Sequence, residues 1–157
     1  MEQPTTSGAA VPGGIVASPW HHARQRPDQP AVIVADTGEV VSFAELTDRA
    51  NRLANLFVDL GLRPGDCVAF YLENHIRYAE LVWAAKSAGL YYVCIARQSA
   101  VDDLRYVLEN CGARVFIASA AVADTAVAAI RHFPELRSFM IDGAAPGFTS
   151  YEAAVAG

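Results

Sequence analysis

Lysine is nearly absent from this chain: eleven of the twelve basic residues are arginine, and the exception is Lys86. The basic residues are scattered, and the formal net charge is -5. A nucleic-acid groove or a patch for anionic lipid needs basic side chains gathered on one surface, so neither is expected as a partner. No uninterrupted apolar run reaches about eighteen residues, so no transmembrane helix is expected. The N-terminus (MEQPTTSGAAVPGG) has an acid at position 2 and no basic segment, and does not read as a signal peptide. Cysteine is scarce and odd in number. Cys67, Cys94 and Cys111 are widely spaced, each in or beside an apolar segment, and are expected to be reduced core thiols of a cytoplasmic protein.

What is present is apolar. Hydrophobic residues make up 53% of the 157 and charged residues 18%, the profile of one globular domain with a sizeable core. Tyr91–Ile95 is a short apolar run rich in β-branched and aromatic residues, the pattern of a strand covered on both faces. Ser99-x-x-Asp102 supplies a helix start, and Val101, Leu104, Leu108 and Cys111 form one apolar stripe at spacings of three and four. Gly112 stops the helix, and Arg114–Ala118 reads as the next buried strand. A strand, a crossover helix and a strand of these lengths predict a βαβ unit with parallel strands.

The rest extends this unit in both directions. Residues 1–14 read as a disordered tail, and 15–157 as one α/β unit. Ser18-Pro19 is an N-cap with Pro at the first helical position, opening a short helix that ends near Pro27. His21 and His22 lie in it, but adjacent helix residues do not share a face and make a poor metal pair. Ala31–Ala35 and Val40-Val41, joined by the turn Asp36–Glu39, predict a β-hairpin. Ser42-Phe43-Ala44-Glu45 is a capping box, starting a helix at Phe43 whose stripe runs Phe43, Leu46, Ala50, Leu53, Ala54, Phe57 and Leu60. Its other face carries Glu45 with Arg49 and Asp48 with Arg52, a solvated set of i,i+4 pairs. Gly61 ends it, and Arg63-Pro64-Gly65-Asp66 turns into a strand at Cys67–Leu72. Asn74 is expected to open a helix from His75 to Ala88, apolar on most sides, ended by Gly89. After the central unit come a helix from about Ala120 to His132, a strand Arg137–Ile141, a loop Asp142–Gly147 and a helix start at Ser150-Tyr151-Glu152. This alternation predicts an α/β fold: a doubly wound, mostly parallel sheet flanked by helices, with an N-terminal β-hairpin.

Signatures of chemistry are missing. There is no G-x-x-x-x-G-K-[ST], no G-x-G-x-x-G, no G-x-S-x-G, no H-E-x-x-H and no zinc spacing, so no catalytic residue and no metal ligand is assigned. Lys86 sits in an apolar helix, as a buried base with a lowered pKa or as a lysine reaching solvent at the helix end. His75 reads as a first-turn residue that could meet an anion at a helix N-terminus. Glu73 and Asp66 flank a strand without an obvious partner. On these residues alone the chain is an α/β domain without a self-contained active site.

A family resemblance goes further. Val41-Ser42-Phe43-Ala44-Glu45-Leu46, Arg49–Ala54, Gly61–Ala69, Glu73-Asn74, Ala84–Gly89 and Tyr106–Val115, in this order and spacing, resemble the N-terminal part of the AMP-forming acyl-CoA synthetases. That adenylate-forming superfamily also holds luciferases and peptide-synthetase adenylation domains. The resemblance covers about residues 17–155, and Tyr91–Ile95 looks most like the fatty-acyl branch. It implies a two-step reaction in the intact enzyme: a carboxylate attacks the α-phosphate of ATP to give an acyl-adenylate, and CoA thiol then displaces AMP. ATP, Mg²⁺ and CoA are thereby implied for the full-length enzyme, with a fatty acid or other carboxylate as substrate. Family members supply the phosphate loop and a catalytic lysine from segments beyond this one, and Lys86 matches neither. Ala96 stands where the family commonly has Asn, and Arg97-Gln98-Ser99 departs from its pattern. The resemblance makes Arg97 a candidate contact for the CoA phosphates.

The expectation is therefore an N-terminal subdomain of such a synthetase, ending before the phosphate loop, inactive alone and partnered by the remainder of the enzyme. An apolar face left at the Trp83 helix or the last strand would allow self-association. The alternatives are a stand-alone, non-catalytic binding module on the same scaffold, and a small nucleotide-binding protein of doubly wound type.

Overall fold

β3 (Cys67–Tyr71) is the strand around which residues 18–156 are arranged in the computed structural model. Its five residues, CVAFY, are all buried, and it pairs in parallel with β4 (Tyr91–Ile95) on one side and β5 (Ala113–Ser119) on the other. β6 (Arg137–Ile141) and the two-residue β7 (Thr149–Ser150) complete a five-stranded parallel sheet in the order β4-β3-β5-β6-β7. Because side chains alternate across a strand, Val68, Phe70 and Leu72 face one way and Ala69 and Tyr71 the other. The first set packs on Leu53 and Phe57 of α2 (Phe43–Asp59) and on Leu81, Ala84 and Ala85 of α3 (Tyr78–Ser87). The second packs on Leu104 and Leu108 of α4 (Val101–Cys111) and on Ala126 and Ala129 of α5 (Ala123–Ile130), which a 3-10 turn at Ala120–Val122 precedes. Each fully buried Leu or Phe in these layers contributes about 1.5–3 kcal/mol.

β1 (Pro30–Ile33) and β2 (Val40–Ser42) form the antiparallel hairpin, with Ile33 opposite Val40. Ser42 then caps α2 in the expected box: its hydroxyl accepts from Glu45 N, and the Glu45 carboxylate accepts from Ser42 N at 2.8 Å. α1 (Pro19–Gln25) has Ser18 as N-cap with Pro19 following, and α6 (Tyr151–Ala154) is capped by Ser150. The tail expected at 1–14 lies outside the described residues.

Four local expectations are corrected. β4 is an edge strand rather than a doubly covered one: Tyr91 is 70% exposed, and Cys94 is exposed rather than in the core. α3 begins at Tyr78, because His75–Arg77 form a turn instead of a capped first turn. The N-cap of α4 is Ala100, with no side-chain hydrogen bond, in place of Ser99. The Trp83 face is partly covered, since Trp20 packs edge-on against it at 5.9 Å and the Lys86 ammonium sits 4.7 Å over its ring. Lys86 is thus an exposed lysine with its head on an aromatic face. Among the described residues the large exposed apolar side chains are Ile33, Val40, Val58, Tyr91 and Tyr106. No helix among the described residues is long and apolar enough to cross a membrane.

Candidate functional site

The strand order locates the site. From β3 the chain crosses outward to β4, then back over β3 to β5, and onward to β6 and β7. α3 lies on one face and α4 and α5 on the other, as right-handed crossovers in opposite directions require. β3 and β5 therefore flank the point where the winding reverses. In open parallel sheets the crevice at the carboxyl ends of those strands is where ligands bind.

Glu73 follows β3 there, Ser119 ends β5, and Arg97 follows β4. The Ser119 hydroxyl donates to the Glu73 carboxylate, which supplies the partner that sequence reading left open. Tyr71, 1% exposed, points its hydroxyl at two backbone carbonyls, Arg97 O at 3.1 Å and Ser99 O at 3.2 Å. It thereby fixes the loop that leads from β4 to α4. Arg97 is exposed, and among the described residues no hydrogen bond or ion pair engages its guanidinium. It borders two adjoining hollows of about 350 and 600 Å³, the first between Tyr71, Glu73 and the turn at Ala120–Thr125, the second reaching Tyr78 and Cys94. Burial, reinforced by the neighbouring Cys94 thiol, pushes the Tyr78 phenol well above its ordinary range, so it is a neutral donor.

A second cleft, about 670 Å³, opens between the hairpin, α2 and the 74–77 turn. Its floor is a charged network. Glu80 on α3 is 2% exposed; its Oε1 accepts from Tyr151 Oη at 2.7 Å and from Arg77 Nη1 at 3.2 Å, and Arg49 Nη1 lies 4.0 Å from Oε2. Arg77 also reaches Glu152 at 3.6 Å and lies 5.4 Å over the Tyr151 ring. Burial first, and then the Glu80 carboxylate, push the Tyr151 phenol far up, so it stays protonated and donates. Burial alone would pull the Arg77 guanidinium down. Glu80, with Tyr151 and Glu152 behind it, outweighs that, and its pKa ends above the usual value. His75 completes the rim: its Nε2 is 3.0 Å from Asp142 Oδ2, and its Nδ1 accepts from Arg77 N at 3.2 Å. That pattern assigns the proton to Nε2.

Sequence reading found Arg97 and Glu73 and missed the Glu80 network. The signal for it was an acid embedded in Leu81, Ala84 and Ala85, since a carboxylate in an apolar helix needs a cation or donor from elsewhere. Asp66 is likewise partnered: its Oδ2 accepts from Arg114 Nη1 at 2.6 Å and from Arg63 N at 2.7 Å. Among the described residues no group of three or more His, Cys, Asp or Glu could hold a metal ion. The crevice offers one open guanidinium and a hydroxyl hydrogen-bonded to a carboxylate, a set that can orient a ligand.

Comparison with known proteins places these residues in context. The family model described as "AMP-binding enzyme" matches residues 19–154. A feruloyl-CoA synthase of Amycolatopsis sp is 36% identical over 115 residues, 73% of this chain and 23% of that protein. A medium/long-chain-fatty-acid–CoA/3-oxocholest-4-en-26-oate–CoA ligase of Mycobacterium tuberculosis is 28% identical over 127 residues, 80% of this chain and 23% of that one. Among solved structures, apo MbtA of Mycobacterium smegmatis superimposes with a TM-score of 0.76 at 29% identity, over 88% of this chain and 26% of its own. The chain thus spans about a quarter of the length of each of these three relatives.

Proposed function

This chain belongs to the AMP-binding enzyme family, and from that membership we propose that it forms the N-terminal structural part of an ATP-dependent acyl-CoA ligase. The observation that carries this is the mismatch of coverage: the family likeness takes in nearly all of the described chain, while the chain covers only about a quarter of the feruloyl-CoA synthase and of the M. tuberculosis ligase. The reaction in the complete enzyme is carboxylate plus ATP to acyl-adenylate and pyrophosphate, then transfer of the acyl group to CoA thiol with release of AMP. The residues here do not fit ATP or Mg²⁺, since no glycine-rich phosphate loop and no carboxylate cluster is present among those described. No catalytic step is therefore assigned to this chain, whose part is to build one wall and buttress the rest. Its partner is the remainder of the synthetase, and the compartment is the cytoplasm.

Arg97 is proposed to meet the phosphates of CoA. Support comes from its place at the carboxyl edge beside the winding reversal, its loop anchored by Tyr71, and a guanidinium open to the crevice. In the complete enzyme Arg97→Ala is expected to raise the KM for CoA more than that for ATP. For the carboxylate we favour a fatty acid, on the Tyr91–Ile95 block and the likeness to the M. tuberculosis ligase. An aromatic acid is the second reading, favoured by the 36% identity to the feruloyl-CoA synthase.

The test is pyrophosphate release from ATP and Mg²⁺ with palmitate or ferulate and CoA. The expected result is none from these 157 residues alone, and turnover once the downstream-encoded polypeptide is joined. Robust release by the chain alone would overturn the reading. A reading frame that stops naturally at Gly157 would favour the stand-alone binding module.

A further inference from the structure

Cys67 and Cys111 enter the fold from different elements and meet on one face of the sheet. Along β3, Ala69 and Tyr71 face α4 and α5, and Cys67, two residues before Ala69, faces the same way. On α4, Leu104 and Leu108 face the sheet, and Cys111 continues their stripe in the last turn. Gly112, at φ 60°, then turns the chain into β5, whose first residue, Ala113, is the register partner of Cys67. The Cys111 thiol lies close enough to Cys67 to help burial hold the Cys67 thiol above its ordinary range. Each also lies 3.7 Å from a backbone carbonyl, Val68 O for Cys67 and Leu108 O for Cys111. Cys67 is buried and Cys111 is half-buried, whereas Cys94 is exposed on the outer strand, on the opposite face beside Tyr78. Neither Cys67 nor Cys111 has a part in the crevice or in the charged cleft.

We propose that Cys67 and Cys111 are a redox staple, closed by a two-electron oxidant such as hydrogen peroxide into a disulfide that fastens the last turn of α4 to the start of β3. The half-exposed Cys111, as thiolate, attacks one peroxide oxygen. The O–O bond breaks, leaving Cys111 as a sulfenic acid, and the departing hydroxide takes a proton to become water. The Cys67 sulfur then attacks the Cys111 sulfur: the S–S bond forms, the S–O bond breaks, and the hydroxyl leaves with the Cys67 proton as a second water. Two thiols and one peroxide thus give one disulfide and two waters. The order of attack follows from burial, which pushes the Cys67 thiol up to about 11 and leaves it a poor first nucleophile. The bridge closes a loop containing β3, α3, β4 and α4, including the Arg97 segment, and a cross-link of that length restricts the unfolded chain. This staple does not depend on the ligase reading.

The test is oxidation of the purified chain with a small excess of hydrogen peroxide, followed by alkylation and a digest without reductant. The expected result is a Cys67 peptide linked to the Cys111 peptide of the same chain, Cys94 alkylated, and a Tm raised by several degrees and restored by dithiothreitol. Cys111→Ser and Cys67→Ala should each abolish the linked peptide and the rise, and Cys94→Ser should keep both. Cys111→Ser alone carries the test should Cys67→Ala fail to fold. Recovery of both Cys67 and Cys111 as alkylated thiols, of Cys111 as sulfinic acid with Cys67 free, or of cross-links running through Cys94 would each overturn the staple.

Discussion

Tyr151 Oη donates to Glu80 Oε1 at 2.7 Å, joining two fully buried side chains that lie 71 residues apart. Tyr151 opens α6, the last helix described, and Glu80 lies on α3, beneath the sheet's outer half. With Arg77 shared between Glu80 and Glu152, and Arg49 approaching from α2, three helices are tied at one buried carboxylate. The end of the described chain is thus seated by polar contacts as well as by the Tyr151 ring in the core.

Tyr151→Phe keeps the ring and removes the donor, leaving the buried Glu80 short of one hydrogen bond. The expected cost is about 1–3 kcal/mol, read by urea denaturation at pH 7. Glu80→Gln leaves Arg77 with Glu152 and Arg49 with Glu45, both partly exposed, and should cost somewhat more, on the order of 3 kcal/mol. The double variant should lose less than the two singles added together, since both act on one contact. Strict additivity would mean that the Glu80 charge adds nothing to the hydrogen bond, since glutamine still offers Tyr151 an acceptor.

Tyr71→Phe should loosen the β4–α4 loop while sparing the sheet. The variant leaves the Arg97 and Ser99 carbonyls without their buried donor but keeps the ring stacked near Phe116. Amide exchange should speed up at residues 97–101 and stay unchanged across β3 and β5, with a stability loss of roughly 1 kcal/mol. Exchange that speeds up evenly over the sheet would show that the hydroxyl serves packing rather than the loop.

Local chemistry made much of this fold legible. The Ser42–Glu45 box, Gly112 after the α4 stripe and the apolar run Arg137–Ile141 each carry their signal within a few residues, and each stands where the sequence puts it. What was hidden depends on distant partners. His75 leaves the expected helix because Asp142, 67 residues on, holds its Nε2 while the Arg77 backbone N–H turns onto its Nδ1. Tyr91–Ile95 reads as a strand covered on both faces, but an apolar run does not encode which way its crossover goes, and the crossover made it an edge. The crevice was half legible: Arg97 was singled out, but the Ser119 hydroxyl on Glu73 needed the β3–β5 register to be known.

Ser42→Ala should cost about 1 kcal/mol, within the range for an N-cap that loses its acceptor. The loss should be larger than for Glu45→Gln, because glutamine still offers an oxygen to Ser42 N while alanine offers nothing to Glu45 N. Thermal unfolding of the two variants side by side checks the order; a reversed order would mean that the charge of Glu45 at the first turn matters more than the cap itself.

Acid should unfold the protein partly through Asp66. Its carboxyl is held below the usual range, foremost by the Arg63 backbone N–H and, against some desolvation, by the Arg114 guanidinium. The folded state therefore binds this proton less readily than the unfolded chain does. Between the two pKa values the unfolded state carries the extra proton, so stability rises with pH there. The contribution is complete above the ordinary aspartate range, near about 4. It is lost as pH falls through the lowered folded value. Glu45, lowered first by the Ser42 backbone N–H and then by the Ser42 hydroxyl, adds to the same fall. Asp66→Asn should be less stable at pH 7 and lose less between pH 5 and pH 2 than the parent, because its side chain has no proton to take up. Urea midpoints across that range give the comparison. Parallel curves for the two proteins would place the acid sensitivity elsewhere and leave the Asp66–Arg114 pair as a surface contact without weight in folding.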